Sequence, residues 1–383
     1  MNKVHVTKQP PKRKYLNEIV FLRSIACLCI AVVHSLHRAH TDTTFSINYY
    51  DTLVNSIYVL LTFGTPTFIF ISMLLISYSY PNGLPKGFLW RRFQLILLPF
   101  IFMAFFYSAD MNIFNQLLAG NMTEVFSSAT WSTILSNVIG NLMGGYHGYF
   151  ILIIFQFYIL AYFLYKFLAR SNPLRIILFS LIINVIYLAV FNFTEPPSDS
   201  EAMLYFWRKG HWIPFVGWIF YFSLAFYCGL YYKQFLNILK NHSNLVVFSA
   251  IFFGGLTVLL TIYDVIPLSS KTVTMLFFTS AMIGVLYLIS FKIKRIPKIL
   301  TLINNYSFSI YLLNTFYINI TYTALVLLKV DYGIFNVFIY FVVSTTASIL
   351  TAYLINKISF GKYLVGRVNV VKSTTKSIPV EVN

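Results

Sequence analysis

An arginine and a histidine stand in an otherwise apolar run near the start of the chain, Phe21-Leu-Arg23-Ser-Ile-Ala-Cys-Leu-Cys-Ile-Ala-Val-Val-His34. Ionisable groups are costly in hydrocarbon, so such a pair asks for a function. Arg23 stays charged and presents a planar fork of donors suited to phosphate or carboxylate. His34 can take up and return a proton near neutral pH, which is what a general base acting on a hydroxyl must do. The two lie eleven positions apart. On a helix that is three turns plus about 20°, so both would share one face, about 16 Å apart along the axis. Taken singly, Arg23 also fits a side chain snorkelling to an interface and His34 a hydrogen-bonded bundle residue. The shared face favours a joint role at two ends of one path.

Other polar residues are candidates of lower specificity. Arg91 and Arg92 open a later apolar run shortly before Pro99. They suit an interfacial anchor, or a pair of guanidiniums holding a phosphorylated donor. Ser72, Gln156 and Asn314 are neutral polar residues inside apolar runs, where such groups more often join helices than react. The run His34-x-x-His37-x-x-His40 could be imagined around zinc. Catalytic zinc usually gathers its ligands from separate elements, so His37 and His40 read as interfacial and no metal is expected. Cys27, Cys29 and Cys228 have neither Cys-x-x-Cys nor zinc spacing and read as small core- or lipid-facing residues.

The elements that must position these residues follow from composition. Of 383 residues, 58% are hydrophobic and 10% charged, against about 25% charged in soluble domains. A soluble protein is excluded, and 39 Phe and 28 Tyr in apolar runs leave nowhere to build a basic nucleic-acid groove. A membrane span needs about 20 apolar residues. Ten segments qualify, at 16–36, 53–79, 88–109, 146–169, 174–193, 213–232, 245–263, 273–291, 300–328 and 332–355. The fold class is therefore an all-α integral membrane bundle, with Pro66 and Pro99 expected to kink the second and third spans. The first span has no cleavage-site pattern after it and reads as a helix that stays.

The net charge of +17 has a topological reading. With the N-terminus in the cytoplasm, 22 of the 28 Lys and Arg residues but only two of the 11 acids fall on the cytoplasmic side, as the positive-inside rule requires. Both termini are then expected to be cytoplasmic. The organisation is a basic tail over 1–15, a transmembrane domain over 16–357 and a second tail over 358–383. Between spans, 110–145 lacks Lys and Arg and reads either as an interfacial or re-entrant cap or as a plain surface loop. The segment 194–212, with Glu195, Asp199, Glu201, Arg208, Lys209 and His211, reads as a solvated outer rim.

An ordered set of short motifs carries a resemblance. It comprises Arg23-x10-His34, Phe70-Ile71-Ser72, the arginine-led third span ending Leu97-Leu98-Pro99, and Ser307-Phe-Ser-Ile-Tyr-Leu-Leu-Asn314. The chain resembles the acyltransferase-3 family of integral membrane acyltransferases over nearly all ten spans. It is most similar to the intercellular-adhesin-locus type, on Phe63-Gly-Thr-Pro66, Gly148 to Leu160 and Gly217-Trp-Ile-Phe-Tyr-Phe. The resemblance implies transfer of an acetyl or succinyl group from a cytosolic acyl-CoA co-substrate to a hydroxyl of a surface or exported polysaccharide, with no bound cofactor. It makes His34 the essential histidine and Arg23 its partner, and implies a multi-pass protein of a bacterial plasma membrane, with a glycan synthase complex as a further candidate partner.

Two positions depart from the family pattern. Gln94 and Leu95 follow Arg91 and Arg92 where many members carry another arginine, and Asn314-Thr315 stands where many carry a histidine. Two other functions compete with acyl transfer: export of a poly-N-acetylglucosamine-like adhesin, and a structural partner of a glycan synthase. An exporter offers no reason for Arg23 and His34 to share a stripe.

Overall fold

A computed structural model describes residues 16–40, 51–118, 127–145 and 148–368. The basic N-terminal tail and the end of the C-terminal tail lie outside the described residues. All regular structure among them is helical, and ten helices are long and apolar enough to cross a membrane, matching the ten apolar segments of the sequence. The chain is a multi-pass membrane protein. Helices suit a bilayer because each satisfies its own backbone polar groups. Buried hydroxyls do likewise, as when Ser35 and Thr67 donate to the carbonyls of Ala31 and Phe63 four residues back.

The first span is α1 (Asn17–His40). The second is two helices, α2 (Asp51–Leu61) and α3 (Gly64–Ser79), separated at Thr62 and Phe63. The expected kink at Pro66 is thus a break, because the chain restarts so that the proline falls in the first turn of α3, where an N–H would have no helical partner. Pro99 is handled differently. Between α4 (Phe88–Arg92) and α5 (Leu98–Leu118), residues Phe93–Leu97 form a π-helical turn. A wider turn just before the proline relieves the clash its ring makes with the carbonyl four residues back.

Remaining helices are α6 (Ser128–Leu142), α7 (Tyr149–Arg170), α8 (Pro173–Phe193), α9 (Glu201–Trp212), α10 (Ile219–Leu230), α11 (Tyr232–Asn241), α12 (Ser243–Ile262), α13 (Val273–Lys292), α14 (Lys298–Leu327) and α15 (Phe335–Ile355). The described part of 110–145 is not a plain loop. In it α6 folds back on α5, where Asn141 donates to the Ser108 hydroxyl at 2.8 Å and the Ala104 carbonyl at 3.3 Å. Thr130, Ile134 and Val138 are buried, while Trp131, Leu135 and Ile139 form an exposed apolar stripe.

The centre of the bundle is α1, packed on α3, α14 and α15. Four contacts align α1 with α14. Ser24 donates to the Leu300 carbonyl at 2.6 Å, the Cys27 thiol to that of Ser307 at 3.8 Å, Thr315 Oγ1 lies 3.4 Å from His34 Nδ1, and the Arg38 guanidinium sits 3.5 Å over the Tyr322 ring. A nearly constant sequence offset means that the two helices run parallel, residue level with residue level.

Small residues permit the closest approaches, as is usual between membrane helices. A Cβ on Gly64 would lie 2.8 Å from the Ala26 carbonyl oxygen, so α3 starts directly against the backbone of α1. On Gly229 a Cβ would overlap the Leu74 carbonyl, at the α3–α10 contact. Gly229→Ala must push these helices apart and is expected to cost about 1–3 kcal/mol, as overpacking does. A melting midpoint of the purified protein equal to that of the unsubstituted chain would contradict this contact.

In the segment 194–212, Glu195, Asp199, Glu201 and Arg208 are exposed as a solvated rim requires, and a buried lysine from another loop anchors it. Lys271, which lies between the apolar segments 245–263 and 273–291, is 1% exposed. Its ammonium donates to the His211 carbonyl and faces the rings of Trp218 at 5.0 Å and Tyr187 at 5.5 Å. Burial pushes Lys271 well below the usual lysine range. It pins α9 to the loop preceding α13.

Beyond α15 the chain turns back rather than trailing away. Val365 is buried in a cluster with Ile303, Tyr306 and Phe100, and Asn356 Nδ2 donates to the Gly366 carbonyl at 3.1 Å. This docked segment, the first part of what the sequence presents as a tail, packs beside the π-helical turn that follows Arg92.

Candidate functional site

Two polar stripes face one another in the bundle. Along α1, Arg23, Cys27, Ile30, Ala31 and His34 line a cavity of about 380 Å³. Their spacing of four, three, one and three residues follows one helical face. Along α14, Asn304, Ser307, Tyr311 and Asn314 line the same cavity at a spacing of three, four and three. Because α1 and α14 run parallel, Asn304 stands toward the Arg23 end and Asn314 toward the His34 end.

The His34 end is held from behind. Asn314 Nδ2 donates to Ser344 Oγ of α15 at 2.8 Å, which fixes this side chain in the lining beside the imidazole. With its nitrogen committed to Ser344, its Oδ1 is buried with no hydrogen-bond partner. Thr315 Oγ1 approaches Nδ1 from the same helix. Packed against these side chains and lining the cavity, the imidazole is placed to exchange a proton with a bound hydroxyl.

At the other end Arg92 joins the lining, its guanidinium 5.1 Å over both Phe88 and Tyr158. Ser72 lines the cavity from α3. Five of the seven sequence candidates therefore meet in one chamber: Arg23, His34, Ser72, Arg92 and Asn314.

Arg91 and Gln156 do not. Arg91 is exposed, since the next residue on a helix is turned by about 100° and only one of an adjacent pair can face the site. Gln156 falls off the α7 stripe of Ile151, Ile154 and Tyr158 that lines the chamber. It instead bonds the Ile213 carbonyl at 3.0 Å and the Phe215 N–H at 3.1 Å, clamping the Pro214 turn to α7.

Sequence reasoning missed Asn304, Tyr158 and Arg367, all of which line the cavity. Asn304 was within reach, because the stripe that ends in Asn314 extends back through Ser307 to it. Tyr158 gives no signal in a helix so rich in aromatics. Arg367 follows the last span, where periodicity says nothing.

A family model described as an acyltransferase domain matches residues 16–357. The chain belongs to the acyltransferase-3 family. As in that family's name, its reaction class is acyl transfer. Among curated relatives of this acyltransferase, a Bacillus subtilis (strain 168) protein named as membrane-bound acyltransferase YfiQ is 34% identical over 371 residues, which is 96% of this chain and 98% of that one. Staphylococcus aureus (strain Mu50 / ATCC 700699) has a relative named as a poly-beta-1,6-N-acetyl-D-glucosamine export protein, 29% identical over 79% of this chain and 82% of that one. A protein of the same name in Staphylococcus epidermidis is 27% identical over 78% and 79%. No solved structure matches.

Proposed function

We propose that this acyltransferase resides in a bacterial plasma membrane and moves an acetyl or succinyl group from cytosolic acyl-CoA to a hydroxyl of a surface or exported polysaccharide. The observation that carries the reading is the single chamber with Arg23 at one end and His34, backed by Asn314 and Ser344, at the other. The termini are cytoplasmic, so the Arg23 end faces the donor and the His34 end the acceptor.

His34 removes the proton of the acceptor hydroxyl as the oxygen attacks the thioester carbonyl. The tetrahedral intermediate collapses, the C–S bond breaks, and the leaving thiolate takes the proton back from the imidazolium. Asn314 Oδ1, buried and unpartnered beside the ring, is an acceptor that steadies the imidazolium once it forms without shuttling a proton, which accounts for an asparagine at this position. In a second route the imidazole nitrogen attacks the thioester carbonyl and CoA thiolate leaves, then the sugar hydroxyl displaces the imidazole from the acyl group and its proton ends on the thiolate. Both routes balance, and both need a guanidinium on the donor side; Arg23 and Arg92 fill that role.

Export of a poly-N-acetylglucosamine-like polymer is the second reading, favoured by the names of the staphylococcal relatives. The two separate in vesicles holding the purified protein, with labelled acetyl-CoA or succinyl-CoA on one side and polysaccharide on the other. Label appearing as ester on the polysaccharide, with stoichiometric free CoA, is the expected result. Polymer crossing the membrane with neither donor consumed would overturn acyl transfer to the glycan.

A further inference from the structure

The chamber is strongly one-signed. Three guanidiniums, of Arg23, Arg92 and Arg367, line it, and no carboxylate does. Among the described residues neither Arg92 nor Arg367 forms an ion pair. Arg92 is braced only by the Phe88 and Tyr158 rings, which hold its position and leave its donors free. Between them, Asn304 is 9% exposed and its Oδ1 is buried with no hydrogen-bond partner, while its Nδ2 reaches only the neighbouring Asn305 at 3.1 Å. Arg92, half-buried, and Arg367, exposed at the mouth, bring two guanidiniums to the chamber with no carboxylate among its lining residues, a setting that suits an anion from outside the chain.

Arg367 reaches this place through a built device. Docking of Val365 among Ile303 and Tyr306, and the Asn356 bond to Gly366, fix the backbone on either side of the turn. The segment also lies against the π-helical turn at Arg92. A basic residue serving only as an interfacial anchor needs no such fixed backbone.

We propose that the segment after the last span is part of the donor site: Arg367 and Arg92 bind the phosphate groups of the acyl donor at the chamber mouth, and an adenosine or pantetheine N–H reaches Asn304 Oδ1. This rests on the acyl-CoA reading of the site. Guanidiniums of this kind make bidentate, charge-assisted bonds to phosphate that an ammonium replaces poorly. Phosphate is gripped where the chain enters the chamber, and the thioester extends along the α1 stripe toward His34.

The test compares acetyl-CoA with acetyl-pantetheine, which keeps the thioester and lacks every phosphate, using the full-length protein in nanodiscs. Arg367→Gln is expected to raise the KM for acetyl-CoA about tenfold or more, leave kcat and the acceptor KM near their normal values, and leave acetyl-pantetheine kinetics unchanged. Arg367→Lys should recover only part of the loss. Equal losses with both donors would mean a structural role, and an unchanged acetyl-CoA KM would remove Arg367 from the site while acyl transfer stands. A defect seen in anionic but not zwitterionic nanodiscs would assign Arg367 to lipid headgroups and overturn the proposal. If the unsubstituted protein neither turns over acetyl-CoA nor binds CoA at equilibrium, the proposal falls together with the reading beneath it.

Discussion

His34→Ala is expected to lower kcat for acyl transfer by about 10²–10⁴-fold, the range general acid–base catalysis supplies, while leaving the fold intact. In the proposed reaction the imidazole exchanges the proton, beside Asn314, which Ser344 fixes in the chamber lining. Its removal leaves a small void beside Thr315 in a helix otherwise packed by Ile30, Ala31 and the residues of α14. Ester formation from labelled donor, set against the melting midpoint of the same preparation, separates chemistry from stability. A variant that retains transfer within a few-fold of the normal rate would remove His34 from the mechanism. In the native host, surface polysaccharide is expected to remain outside but to lose its esters, whereas polymer trapped inside with its esters intact would point to export.

Arg23→Lys is expected to lower kcat/KM by about 10²–10³-fold, the scale associated with losing a preorganised electrostatic partner. Lysine keeps the charge and much of the length, so a snorkelling anchor would tolerate it. The fork would be missed: a guanidinium presents several donors in a plane, and an ammonium is a strongly hydrated point charge. Measurement of both kinetic constants tells where the loss falls. A change confined to the donor KM places Arg23 on the ground-state donor, and a fall in kcat places it on developing charge in the transition state. Full activity with lysine would reduce Arg23 to an anchor.

Much of the architecture is legible along the chain because bilayer thickness acts on each segment by itself. Twenty apolar residues must form a satisfied helix wherever they lie, so the ten spans can be read one at a time. Helical periodicity is equally local, which is why the Arg23–His34 face and the Ser307–Asn314 stripe are visible without coordinates. Pro66 and Pro99 are visible too, but what the chain does with them is not. One becomes the first turn of a new helix and the other follows a π-helical turn, because the neighbours of each decide which is cheaper.

Contacts between helices are a different matter. Nothing in the sequence says that α1 runs parallel to α14 at matched levels, so nothing in it pairs His34 with Asn314 and Thr315. Nor does it separate Arg92 from Arg91, or turn Gln156 away toward Ile213, since adjacent or nearby residues on one helix part company only when the packing partner is known. Lys271 and Arg367 are the clearest cases. By sequence both are ordinary loop charges, and by structure one is buried against Trp218 and the other opens onto the chamber. The sequence by itself determined the membrane, the ten spans and one polar face of the first helix, because those depend on hydropathy and helical period. Only the tertiary structure decided which faces meet, because that depends on close packing between residues hundreds of positions apart.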